Sequence, residues 1–223
     1  MKSCIRFASL TLALTSLGAG TMATHSFADD ATVAKQSEKP QTPKAAAKSD
    51  KAKVGAAAPA IALTDTEGKS WSLADAKGKV VVLQWVNPEC PVSRRVVEDG
   101  TVAATLKGVR EAFPDAVYVG INSSSSRPSS FEASKGDMAK HNLAVPVLID
   151  TDASVCKLYG AKTTPQCFVI DAAGVLVYSG AIDDSPSGGA KTNYVVDAVQ
   201  AIKAGKPVSP SETKPYGCGV KNK

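Results

Sequence analysis

Between residues 54 and 205 the apolar positions switch repeatedly between a two-residue and a 3.6-residue period, with Gly and Pro at the changes. That alternation predicts an α/β layer. The stretch APAIALTDTEGKSWSL (58–73) reads as short extended runs around a Glu67-Gly68 turn, an N-terminal hairpin extension. KVVVLQWV (79–86) is β-branched and unbroken, the pattern of a central strand covered on both faces. After Pro91, Val92, Val96, Val97, Val102, Leu106, Val109 and Phe113 recur at helical spacing, with Gly100 as a kink or interruption. AVYVGIN (116–122) is the next strand, 128–143 reads as one helix, VPVLID (145–150) as a strand, and 153–159 as a short helix closed by Gly160. QCFVID and VLVYSGAI, joined by Ala172-Ala173-Gly174, form an antiparallel hairpin, and 194–204 is a last helix ending at Gly205.

Outside this region the pattern changes. Residues 1–28 carry Lys2 and Arg6 ahead of an apolar run and end on Ser26 and Ala28, the layout of a cleaved secretory signal. Cys4 lies too early for lipid attachment and leaves with that segment. Residues 29–53 hold only Ala and Val33 as apolar residues, too few to offset ordering entropy, so a disordered Ala/Lys/Pro tether is expected. The folded domain is then 54–206, and 207–223 is a flexible polar tail carrying Cys218. Export to a bacterial periplasm or cell envelope follows, without stable membrane insertion once the signal is removed.

The 223 residues, 43% hydrophobic and 21% charged, suffice for an ordinary core. Of the net charge of +5, two belong to Lys2 and Arg6 and two to the six lysines and four acids of 29–53. The domain is therefore near neutral, with no basic stripe for nucleic acid. No Cys pair has zinc-ligand spacing and no C-x-x-C-H is present, so neither a metal nor another cofactor is expected.

Candidate chemistry sits in VNPECPVSRR (86–95). Cys90 follows a buried strand and opens a helix, beyond the carboxyl ends of the strands where open α/β sheets place their sites. Free N–H groups and the positive dipole end there favour thiolate over thiol. Pro91 is a first-turn residue; Ser93 shares a helix face with Cys90 and can donate to its sulfur; Arg94 and Arg95 add positive charge; an inward Glu89 would oppose it. The plain alternative is a buried, inert cysteine.

VGAAAPAIALTDTEGKSWSLADAKGKVVVLQWVNPECP together with YGAKTTPQCFVIDAAGVLVYSGAIDD resembles the thioredoxin-like redoxins of the alkyl hydroperoxide reductase and thiol-specific antioxidant (AhpC/TSA) group. The resemblance implies a thioredoxin-like fold, a central mixed β-sheet flanked by helices. It also implies Cys90 as the redox-active thiol, Pro165 as the cis-proline facing it, and Thr164 as the residue whose backbone touches a mixed-disulfide partner. Two departures matter. Ser93 stands where a C-x-x-C would have its second thiol, which excludes local dithiol cycling. The peroxide-activating set of such relatives is incomplete, with Asn87, Leu83 and Thr163-Thr164-Pro165 at its three places, although Asn87 can donate a hydrogen bond and Arg127, in the loop SSSSRPSS, could approach the site.

Besides Cys4, the chain has Cys90, Cys156, Cys167 and Cys218, which allow three complete pairings. Cys167 and Cys156 read as packing residues. Cys218, in KPYGCGVKNK, has no apolar pattern around it, so an exposed, mobile thiol is expected. Either it folds back to resolve Cys90, or it forms a static disulfide with Cys156 or an intermolecular link. Asp183 and Asp184 read as a solvated turn or cap rather than a cation or acid-base pair. The function expected is an exported thiol oxidoreductase acting on a protein disulfide or a peroxide with a thiol electron donor. The alternatives are a thiol peroxidase proper and a non-catalytic binding module.

Overall fold

The computed structural model describes residues 51–222. The expected signal segment and nearly all of the expected tether lie outside the described residues. The last tether residues, 51–53, reach the fold, with Ala52 N–H donating to Leu158 O at 2.9 Å.

In chain order the elements are β1 (Ala62–Asp65), β2 (Ser70–Ser72), β3 (Val81–Trp85), α1 (Pro91–Glu98), α2 (Thr101–Ala112), β4 (Val117–Asn122), α3 (Ser129–Ala133) and α4 (Asp137–Lys140). They continue with β5 (Val147–Ile149), α5 (Ser154–Tyr159), β6 (Thr163–Thr164), β7 (Gln166–Ile170), β8 (Leu176–Gly180), α6 (Tyr194–Lys203) and β9 (Cys218–Gly219). Seven strands form one sheet in the order β2-β1-β5-β4-β3-β7-β8; β6 and β9 make a separate pair. β3, β4 and β5 run parallel, whereas β7, β8 and the β1/β2 hairpin are antiparallel to their neighbours. This mixed sheet with helices is the thioredoxin-like fold expected.

β3 explains the two-sided core. All five of its residues are buried, and alternate side chains enter opposite layers. Val82 packs in the layer that includes Val96, Val102, Val109 and Val199. Val81, Leu83 and Trp85 enter the other, where Trp85 lies 5.0 Å from the Phe168 ring centroid and 5.7 Å from that of Tyr159. Gly100, at φ 83°, separates α1 from α2, so of the kink or interruption expected there the structure shows the interruption. The single helix expected over 128–143 is instead α3 and α4, broken at Gly136, whose φ of 67° lies in the left-handed region that ends a helix.

The tail departs most from expectation. Residues 211–213 run beside β8: Ser179 N–H donates to Ser211 O at 3.0 Å and Thr213 N–H to Ser179 O at 3.1 Å. The Thr213 hydroxyl is 2.6 Å from Tyr178 Oη and accepts from Ala181 N–H at 2.9 Å. The outer edge of the sheet is thus covered by the chain's own end. Gly180 permits this approach, because a Cβ there would overlap the Thr213 side chain and sit 2.8 Å from its backbone N and O. Gly180→Ala is therefore expected to destabilise the oxidised protein by about 1–3 kcal/mol in urea unfolding; an unchanged midpoint and slope would contradict the seating of the tail on β8.

Candidate functional site

Cys90 is the N-cap of α1, with extended backbone (φ −87°, ψ 120°) and Pro91 in the first turn. The helix begins here because proline is tolerated where no intrahelical N–H bond is needed. The Cys90 sulfur accepts from Ser93 N–H at 3.4 Å and lies 3.3 Å from Thr164 O. It is 3% exposed. The Thr164-Pro165 peptide bond is cis.

Cys218 is disulfide-bonded to Cys90, with Cα atoms 6.0 Å apart across 128 positions of sequence. Rather than an exposed thiol, it is a half-buried residue of β9, which pairs antiparallel to β6: Thr164 opposite Cys218 and Thr163 opposite Gly219. Val220 N–H donates to Lys162 O at 3.0 Å, continuing the pairing. Further on, the Ser126 hydroxyl donates to Lys221 O at 2.7 Å and Asn222 Nδ2 to Cys156 Sγ at 3.3 Å. Before the strand, Tyr216 Oη donates to Asp183 Oδ1. Asp183 is no solvated turn residue: it is 1% exposed and also accepts from Ser185 N–H at 3.0 Å. Burial, reinforced by the bond to Asp183, pushes the Tyr216 phenol above its ordinary range, so it stays a donor. Asp184 remains at the surface, accepting from Lys191 N–H at 3.0 Å.

The other expected site residues take different parts. The Ser93 hydroxyl accepts from Asn87 N–H at 3.0 Å; its contribution to the sulfur is the backbone N–H rather than the hydroxyl. Asn87 Nδ2 donates to Ser124 Oγ at 3.0 Å, and its Oδ1 accepts from Glu89 N–H at 2.8 Å, so both ends of the amide brace the loop. Glu89 turns away from the sulfur, accepting from Ser129 Oγ at 2.7 Å and facing Arg127 Nη1 at 3.7 Å. Arg94 and Arg95 pair along the helix with Glu98 and Asp99 at 3.5 and 2.6 Å. The positive influence on Cys90 thus comes mainly from the helix end.

The remaining thiols differ from Cys90. Cys167 is fully buried on β7, and desolvation pushes its thiol well above the ordinary range. Burial likewise raises Cys156, whose N–H donates to buried Asp150 at 2.9 Å. Asp150 also accepts from Ser123 Oγ at 2.6 Å, and Ser123 Oγ accepts from Trp85 Nε1 at 3.1 Å. This network ties β3, β4, β5 and α5 together beneath the site. Sequence pattern missed Thr213 and Tyr216, and it singled out Asp183 but placed it in a solvated turn or cap; a tyrosine two positions before Cys218, in an otherwise polar tail, is the signal the sequence offers for the tail's anchoring.

The AhpC/TSA family model matches residues 54–179. Among curated proteins, the chain is 31% identical over 134 residues to the thiol-disulfide oxidoreductase ResA of Bacillus thuringiensis subsp. konkukian, covering 58% of this chain and 70% of that protein. Among solved structures, a hypothetical protein from Sinorhizobium meliloti superposes with a TM-score of 0.65 at 26% identity, over 78% of this chain and 97% of that one. An uncharacterized conserved protein from Geobacillus kaustophilus gives 0.66 at 27% identity, over 77% and 93%.

The thiols should separate by reactivity. After mild reduction without denaturant, iodoacetamide at pH 7 is expected to label Cys90 and Cys218 while Cys156 and Cys167 stay unlabelled, as read by peptide mapping. Labelling of Cys167 at a rate comparable to Cys90 would contradict the burial described.

Proposed function

The chain belongs to the AhpC/TSA family, and from that premise we propose that it is an exported thiol-disulfide oxidoreductase whose reversible redox pair is Cys90 and Cys218. The observation that carries the reading is the disulfide between a helix-capping cysteine and a tail cysteine, in a chain with Ser93 at the C-x-x-C position. The relative named for thiol-disulfide chemistry supports the reaction class.

In the reducing direction, the Cys90 thiolate attacks one sulfur of a substrate disulfide. A Cys90–substrate disulfide forms, and the other substrate sulfur leaves as thiolate. Cys218 thiolate then attacks Cys90 sulfur, expelling the first substrate sulfur and leaving the Cys90–Cys218 disulfide. The substrate has gained two electrons and the protein has lost them. A thiol donor returns them by the same exchange, and the reverse sequence oxidises a dithiol. Ser93 N–H and the α1 dipole stabilise Cys90 as the thiolate that attacks and leaves. The tail anchors on either side of β9, at Thr213 and Tyr216 before it and Lys221 after it, keep Cys218 close while a substrate strand occupies the β6 edge, so the second exchange is intramolecular.

Partners on this reading are a protein disulfide and a thiol electron donor. The compartment is the periplasm or cell envelope, with 1–28 as the signal, 29–53 as the tether, 54–206 as the domain and 207–223 as the tail bearing the second thiol. Peroxidase chemistry has less support, since the Asn87 amide and Arg127 are engaged elsewhere.

Insulin disulfide reduction with dithiothreitol as donor tests the proposal. Cys90→Ser is expected to abolish turnover above background. Cys218→Ser should lower turnover on the order of tenfold and accumulate a Cys90–substrate mixed disulfide visible by mass. Wild-type turnover from Cys90→Ser would overturn the assignment.

A further inference from the structure

β9 is more than a carrier for Cys218. It lies antiparallel on β6, with Cys218 opposite Thr164 and its sulfur on Cys90. An extended peptide joined to Cys90 through its own cysteine would need the same edge. The tail therefore displays, in atomic detail, one strand that fits there, and the edge takes either the tail or a partner strand, not both.

The fit is asymmetric about the cysteine. Gly217 has φ +107°, and a Cβ built on it would overlap the carbonyl group of Thr164 and come within 3.2 Å of Pro165 Cδ. The obstacle is backbone, on the residue that also contacts the Cys90 sulfur, so a flexible side chain cannot swing aside to relieve it. After the cysteine, by contrast, the nearest atom to a Cβ on Gly219 is Lys162 O at 3.9 Å, ordinary van der Waals distance. Gly217 and Gly219 look equivalent in the sequence, but only the first is needed for close approach.

Resting on the redox-pair reading, we propose that the β6 edge selects partner strands with glycine immediately before the reactive cysteine, while tolerating side chains immediately after it. The substrate class is thus an extended, glycine-cysteine-bearing segment of a protein disulfide, and the tail segment Tyr216-Gly217-Cys218-Gly219-Val220 is its intramolecular counterpart. A bulkier residue before the cysteine forces the strand off Thr164, which costs the backbone pairing that orients the sulfur for attack.

The test uses the reduced full chain carrying Cys218→Ser, so that Cys90 attacks in the absence of its partner. Three pentapeptides, Tyr-Gly-Cys-Gly-Val, Tyr-Ala-Cys-Gly-Val and Tyr-Gly-Cys-Ala-Val, are each supplied as the mixed disulfide with thionitrobenzoate. Cys90 thiolate attacks the peptide sulfur, the Cys90–peptide disulfide forms, and thionitrobenzoate leaves as a coloured thiolate whose release gives the rate. Rates are divided by those with free glutathione to remove intrinsic differences between the peptides. The alanine-before-cysteine peptide is expected to react about tenfold more slowly than the other two, which should agree within about twofold. Equal rates for all three, or slowing only by alanine after the cysteine, would overturn the selection while leaving Cys90 as the attacking thiol. Failure of Cys90 to react with any of them would instead overturn the redox-pair reading itself.

Discussion

The arrangement depends on a two-residue contact between strands distant in sequence, Thr163-Thr164 and Cys218-Gly219. So short a ladder is not stable alone. Each side is held by something larger. β6 runs into β7, which pairs with β3 in the middle of the sheet, and Lys162 N–H donates to Gln166 Oε1 at 2.8 Å across the turn between them. β9 is fixed from both directions, by Thr213 and Tyr216 before it and by Val220, Lys221 and Asn222 after it. The sulfur of Cys90 meets this contact because β3 ends, and α1 begins, directly beneath it.

The consequence is a division of labour that a C-x-x-C motif combines in one helix turn. In such a motif both thiols share the helix end. Here the helix end serves Cys90 alone, and the second sulfur arrives on a strap whose position is set by packing and hydrogen bonds elsewhere. Ser93 remains useful without a thiol: its N–H reaches the sulfur, and its hydroxyl secures the backbone of Asn87. On the proposed function, the strap crosses the edge that a partner strand would use, so that holding the second thiol and admitting a substrate become competing demands on one surface.

Much of this was legible in the residues. The unbroken apolar run of β3, the hairpin of β7 and β8, and the cysteine–proline start of α1 declare themselves through periodicity and turn chemistry. These signals are local. The break at Gly136 escaped because a glycine inside an apolar pattern does not announce whether the helix ends or bends there. Asp183 escaped for a different reason. An aspartate followed by Asp, Ser and Pro has the composition of a solvated turn, whereas here it is buried and bonded by Tyr216, from a segment 33 positions away. The exposure expected of Cys218 failed in the same way, since its cover comes from β6 and from anchors with no sequence periodicity. Pattern reading captures what neighbours in the chain impose and misses what the tail imports.

The most direct test of the account is a redox equilibrium of the full chain against graded ratios of reduced and oxidised glutathione, quenched with acid and mapped by peptide mass. One two-electron transition is predicted, in which Cys90–Cys218 is the disulfide that forms and breaks, with Cys156 and Cys167 remaining thiols and glutathionylated protein staying minor. A disulfide linking Cys218 to Cys156 or Cys167, or a Cys90–Cys218 bond that yields to reductant only after unfolding, would contradict it.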